Sequence, residues 1–107
     1  MINKNMKLAK DVFKNILGHV SFGEMLRSFR LSEELSQKDF AKKLKISPQE
    51  LCDIEKGRKF LSVERAAKLA VLLGDSPEVF ALFVIQDELY RAGLDCQVKL
   101  VNRKRAA

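Results

Sequence analysis

The 107-residue chain predicts an all-α fold that ends in one short β-strand, and three observations carry this reading. Five serines stand where helices should begin, the apolar residues between them recur at helical spacing, and only residues 94–100 alternate with a period of two. At 47% hydrophobic and 32% charged residues, the composition is that of an ordinary globular domain with short extensions.

The elements follow in chain order. Met6, Val12, Phe13, Ile16 and Leu17 form a loose apolar stripe, which predicts an amphipathic helix over about residues 3–17 that ends near Gly18. Ser21, with Glu24 three residues on, opens a helix whose inner face is Phe22, Met25, Leu26 and Phe29. Ser36 with Asp39 opens the next, carrying Phe40, Ala41 and Leu44, and Ser47 with Glu50 opens a third, carrying Leu51 and Ile54. In each, the serine hydroxyl can take an orphan amide while the acid reaches back to the cap's own amide. Ser62 is a plainer cap before VERAAKLAVLL, where Val63, Ala66, Ala67, Ala70 and Leu73 share a face.

Ser76-Pro77 starts the last helix, because the fixed φ of proline suits the first helical position, and Arg91-Ala92-Gly93 stops it about 15 residues later. Its stretch VFALFVI, residues 79–85, is apolar on every side and needs cover on every side. The core of so small a domain covers one face, so a second subunit is expected on the other, touching Phe83 and Val84. After Gly93, Leu94, Cys96, Val98 and Leu100 alternate with Asp95, Gln97 and Lys99. A lone strand has no partner in a helical chain, so it is expected to pair with its copy across a two-fold axis, placing Leu94, Val98 and Leu100 in a homodimer interface. The tail Asn102-Arg103-Lys104-Arg105 would then trail in solvent. The expected division is an N-terminal extension (1–20), a central unit (21–75) and a dimerisation segment (76–107).

The formal charge of +6 and a pI near 9.5 permit a nucleic-acid partner without requiring one. Residues 1–20 hold four bases and one acid, residues 21–76 eleven and nine, and residues 77–107 five and four, so basicity is spread out and any such argument rests on geometry. No apolar run approaches the roughly 18 residues of a membrane span, and the N-terminal lysines are scattered through apolar positions; a cytoplasmic location is expected. Cys52 and Cys96 make no CxxC and His19 is the sole histidine, so neither a metal site nor a cofactor is expected and the thiols read as buried or inert. Without a Gly-rich phosphate loop, a Gly-x-Ser-x-Gly or a second histidine, catalysis is not expected. His19 itself reads as structural or exposed.

Function concentrates between Gln37 and Lys56. Two short helices that cross at a tight turn need apolar residues where they touch, here Phe40, Leu44, Ile46, Leu51 and Ile54, a small residue at the close approach, here Ala41, and exposed residues on the outer side of the second helix. The Ser47-Pro48 start leaves free amides and a positive dipole end that can meet a phosphate, and Gly57 turns the chain away. The stretch LSQKDFAKKLKISPQELCDIEKGR resembles the helix-turn-helix of the phage repressor and Cro family of compact five-helix DNA-binding domains, over about residues 22–75. The glutamine that begins the second helix of the fold, the alanine and the Ile-Glu-x-Gly-Arg ending all match. Lys45 and Glu34 depart from it, since both stand where glycine is common, at a cost on the order of 1 kcal/mol for a left-handed side-chain-bearing residue.

The resemblance implies a lambda-repressor-like domain that binds double-stranded DNA as a transcriptional regulator. By position, Gln37 resembles the family's phosphate-contacting glutamine and Ser47 its cap on the recognition helix. Pro48, Gln49 and Asp53 fall on the outer face with Cys52 at the margin. Gln49 is the favoured base reader, since its carboxamide can engage N6 and N7 of adenine together. Asp53 either accepts from cytosine N4 or is a solvated acid. Arg30 and Glu55 take the places of an arginine and glutamate that pair across the fold, a structural role. Lys38, Lys42, Lys43, Lys56, Arg58 and Lys59 flank the motif, and Arg58 and Lys59 are favoured as phosphate contacts. The reading is a homodimeric repressor of a palindromic operator; the alternative is an antitoxin that represses its own operon and clamps a toxin protein.

Overall fold

The computed structural model describes residues 19–101. The expected N-terminal helix and the basic tail from Asn102 lie outside the described residues. Among the described residues there are five helices: α1 (Phe22–Ser32), α2 (Gln37–Leu44), α3 (Pro48–Glu55), α4 (Val63–Leu73) and α5 (Pro77–Arg91).

Each helix starts on its serine. The hydroxyls of Ser21, Ser36, Ser47, Ser62 and Ser76 accept from the amides of Glu24, Asp39, Glu50, Arg65 and Val79 at 3.0–3.2 Å, and all five caps have extended backbone. The reciprocal half of the capping box is not what Glu50 does, because its carboxylate accepts from Lys59 and Arg65 instead. The expected exits at Gly57 and Gly93 hold φ of 75° and 74°. Glu34 and Lys45 hold φ of 56° and 59°, so two side-chain-bearing residues carry the left-handed turns around α2. Lys45 closes α2 with its amide on Lys42 while Ile46 reaches the Ala41 carbonyl at 3.0 Å, which turns the chain into α3 within three residues.

One core holds all five helices together. Leu26, Phe40, Ala41, Leu51, Ala66 and Ala70 are fully buried, and Phe80 and Val84 of α5 belong to the same cluster. Phe22 meets Phe80 edge to face at 5.7 Å, within the range in which aromatic pairs add to simple burial. Between α3 and α4 the loop is pinned by Arg91, whose guanidinium lies 3.6 Å above the exposed Phe60 ring.

Two expectations are corrected. Among the described residues there is no strand: residues 94–101 follow α5 as irregular chain. Here the side chain of Gln86 does what a neighbouring strand would do, donating from Nε2 to the Cys96 carbonyl at 2.8 Å and accepting the Val98 amide at 2.7 Å. The alternation of Leu94, Val98 and Leu100 thus belongs to a segment laid back on α5, with Val98 half-buried and Leu94 and Leu100 exposed. Val84 is not a surface residue for a partner either, because at 5% exposure it fills the protein's own core. Both cysteines are free, with Cys96 exposed and Cys52 half-buried.

Candidate nucleic-acid interface

Helices α2 and α3 form the helix-turn-helix, and what aims α3 is set behind it. Arg30 of α1 donates from Nε and Nη2 to the two oxygens of Glu55 at 2.7 and 3.0 Å, and both residues are buried. Arg30 Nη1 also reaches the Leu35 carbonyl at 3.0 Å, so one guanidinium ties the end of α3 to the loop before α2. A planar fork with fixed donor directions suits this bidentate role in a way a lysine could not. Gln37, half-buried at the start of α2, adds a third bond to the same carboxylate, with Nε2 3.1 Å from Glu55 Oε1.

Gly23 completes the frame, and sequence reasoning missed it. A Cβ on Gly23 would stand 2.1 Å from the Ile54 carbonyl oxygen and 3.0 Å from that of Glu55, so α1 and the end of α3 approach as closely as a bare Cα allows. The available signal was a glycine inside the first turn of a well-formed helix, where it costs roughly 1 kcal/mol against alanine unless packing demands it.

With its inner face held this way, α3 turns Pro48 and Gln49 outward, both exposed, while Cys52 and Asp53 are half-buried at the flank. Gln49 Nε2 donates to Asp53 Oδ1 at 3.1 Å, and Arg58 Nε donates to the same oxygen at 3.0 Å. Arg58 Nη2 lies 3.7 Å from Cys52 Sγ. The Asp53 carbonyl takes the amides of Arg58 and Lys59 at 2.8 and 3.1 Å, which wraps the exit loop back onto the helix.

Lys59 is bonded to Glu50, which also accepts Arg65 Nη2 of α4 at 2.7 Å. Hydrogen bonds from Lys59 and then Arg65 hold the Glu50 carboxyl below its ordinary range, outweighing partial desolvation. Lys38 at the start of α2 and Ser47 at the start of α3 are exposed, as is Gln49 in the first turn of α3. Of the expected contact residues, Lys38, Ser47, Pro48, Gln49, Arg58 and Lys59 are exposed and Gln37, Cys52 and Asp53 are half-buried, while Gln37, Gln49, Asp53, Arg58 and Lys59 each bond a protein partner.

A second network was not legible beforehand. Asp87 of α5, buried, accepts the Phe22 amide at 2.8 Å and bonds His19 Nε2 at 2.8 Å, and the His19 ring stacks on Tyr90 at 4.1 Å. The start of α1 is thereby capped twice, by Ser21 and by α5. Its hint in the sequence is an acid two residues after the apolar run VFALFVI.

Comparison with known proteins agrees with this geometry. The helix-turn-helix family profile matches residues 26–80, more than half of the chain, and that family is the Cro/C1 type of DNA-binding transcriptional regulator. No curated protein matches the chain significantly. Among the described residues no helix is long and apolar enough to cross a membrane. A short outward-facing helix locked by a buried Arg–Glu pair, in a chain whose profile matches over that same segment, places this protein in the Cro/C1-type helix-turn-helix family.

Proposed function

We propose that the protein is a homodimeric repressor that covers a palindromic operator, its two copies of α3 entering successive major grooves about one helical turn apart. The observation that carries this reading is the open outer face of α3, with Gln49 exposed beyond the rigid Arg30–Glu55 lock. Gln49 reads an adenine through its carboxamide. Ser47 and Pro48 present the positive end of α3 to the backbone, and Gln37, with one Nε2 hydrogen on Glu55, offers the other to a phosphate at the start of α2. Lys38 and Arg58 add phosphate attraction, and Lys59 supplies its field while bonded to Glu50.

The dimer uses the outer side of α5 and the segment that folds back on it. Leu94 and Leu100 are 54% and 51% exposed, Leu94 lies beside half-buried Phe83 and Val98 in one groove, and the exposed Leu94 and Leu100 favour a second copy as cover. Selection of bound duplexes from a random pool, followed by a salt titration, tests the reading. Gln49→Ala is expected to weaken binding to the selected operator by about 1–3 kcal/mol with its melting temperature unchanged. Leu100→Asp is expected to sediment as a monomer. Equal operator affinity for parent and Gln49→Ala removes Gln49 as a base reader, and an unchanged dimer in Leu100→Asp removes the interface.

A further inference from the structure

We propose that Asp53 is a positioning residue that sets the orientation of the Gln49 carboxamide and the Arg58 guanidinium as one reading unit, rather than a residue that touches a base itself. The inference rests on the assignment of α3 as the base-reading helix. Gln49 and half-buried Asp53 lie one turn apart on α3, and Asp53 Oδ1 is the point on which Gln49 Nε2 and Arg58 Nε converge, at 3.1 and 3.0 Å. The Arg58 Nη2 contact with the same oxygen is also 3.0 Å, so the guanidinium approaches side-on.

The donor inventory gives this arrangement its consequence. A carboxamide has two N–H hydrogens and one carbonyl oxygen, and recognition of adenine uses the oxygen and one hydrogen. Asp53 consumes the remaining hydrogen. It thereby selects one of the two ways the amide can face the groove and restricts a long side chain that would otherwise sample several rotamers on an open helix face. The same side-on pairing leaves the outer end of the Arg58 fork available. Charge argues the same way: an unpaired carboxylate on a DNA-facing helix repels phosphates, whereas Asp53 carries its counter-charge on the oxygen nearest the reader.

The test measures equilibrium binding of the full chain, at fixed salt, to its selected operator and to operators changed at one base pair. The variants are Gln49→Ala, Asp53→Ala, Asp53→Asn and the double variant Gln49→Ala/Asp53→Ala. Asp53→Ala is expected to lower discrimination at the same base pair as Gln49→Ala, within the roughly 5- to 150-fold that a lost bidentate contact removes. The double variant is expected to be no worse than Gln49→Ala alone, the non-additivity of residues that act as a unit. Asp53→Asn, which keeps an acceptor oxygen, should retain most of the discrimination.

Uniformly tighter binding by both Asp53 variants, with the discrimination ratio unchanged, would mean a merely repulsive surface acid and overturn the proposal. So would an Asp53→Ala loss that falls at a different base pair and multiplies with that of Gln49→Ala, the signature of Asp53 accepting from cytosine. A parent protein that discriminates no sequence brings down the assignment of α3 together with this inference, an outcome distinct from both.

Discussion

Replacing Gly23 with alanine tests the contact that aims α3. The added methyl carbon would meet the Ile54 carbonyl oxygen at 2.1 Å, and a carbon–oxygen contact settles near 3.3 Å, so the two helices must part by roughly 1.2 Å. The obstacle is backbone, which no rotamer change relieves. Overpacking of this kind costs about 1–3 kcal/mol. Parting the helices also strains the Arg30–Glu55 pair, whose oxygens sit one residue beyond the clash and whose full loss would cost about 3–5 kcal/mol. Against this, alanine gains about 1 kcal/mol of helix propensity. The net expectation is a loss of about 2–4 kcal/mol, which for a domain of this size lowers the melting temperature by about 10–25 °C. Thermal unfolding followed by circular dichroism measures it. A Gly23→Ala protein that melts at or above the parent temperature would show that propensity outweighs packing and that the close approach of α1 to α3 does not exist.

Three further outcomes follow from the networks. Glu55→Ala should cost about 3–5 kcal/mol in urea unfolding by stranding the buried Arg30 charge, while Arg30→Met with Glu55→Leu should cost far less, because neither charge then remains. Asp87→Ala should cost about 1–3 kcal/mol by leaving the Phe22 amide without its acceptor, and adding His19→Ala should change little more, since both act through one carboxylate. Glu50 has a folded pKa lowered from its ordinary 4.5, so its stabilising contribution is present above that value and is lost as pH falls through the lowered one; Glu50→Gln should flatten the acid side of a plot of melting temperature against pH.

The helix starts were legible because capping is local: a serine oxygen bonds an amide three residues away, and sequence spacing alone specifies that. The Arg30–Glu55 geometry was also anticipated, through the resemblance of the whole motif. What was missed depends on contacts between distant residues. Gly23 matters for a carbonyl about 30 residues further on, Asp87 for an amide 65 residues earlier, and Gln86 for a backbone 10 to 12 residues later. The alternation at residues 94–100 read as a strand because period two reports only which side is wetter. It cannot say that a glutamine side chain, instead of a second strand, supplies the hydrogen bonds.

The bond from Asp87 to the Phe22 amide joins the first described helix to the last, and Phe80 shields the Phe22 ring from the same side. A nascent chain that has left the ribosome only as far as α4 has every piece of the DNA-facing motif, yet the first turn of α1 still lacks its second acceptor and its aromatic lid. α5 is therefore the element that closes the first turn of α1, and a chain cut between residues 76 and 87 would keep the motif while that turn lacked the Asp87 acceptor.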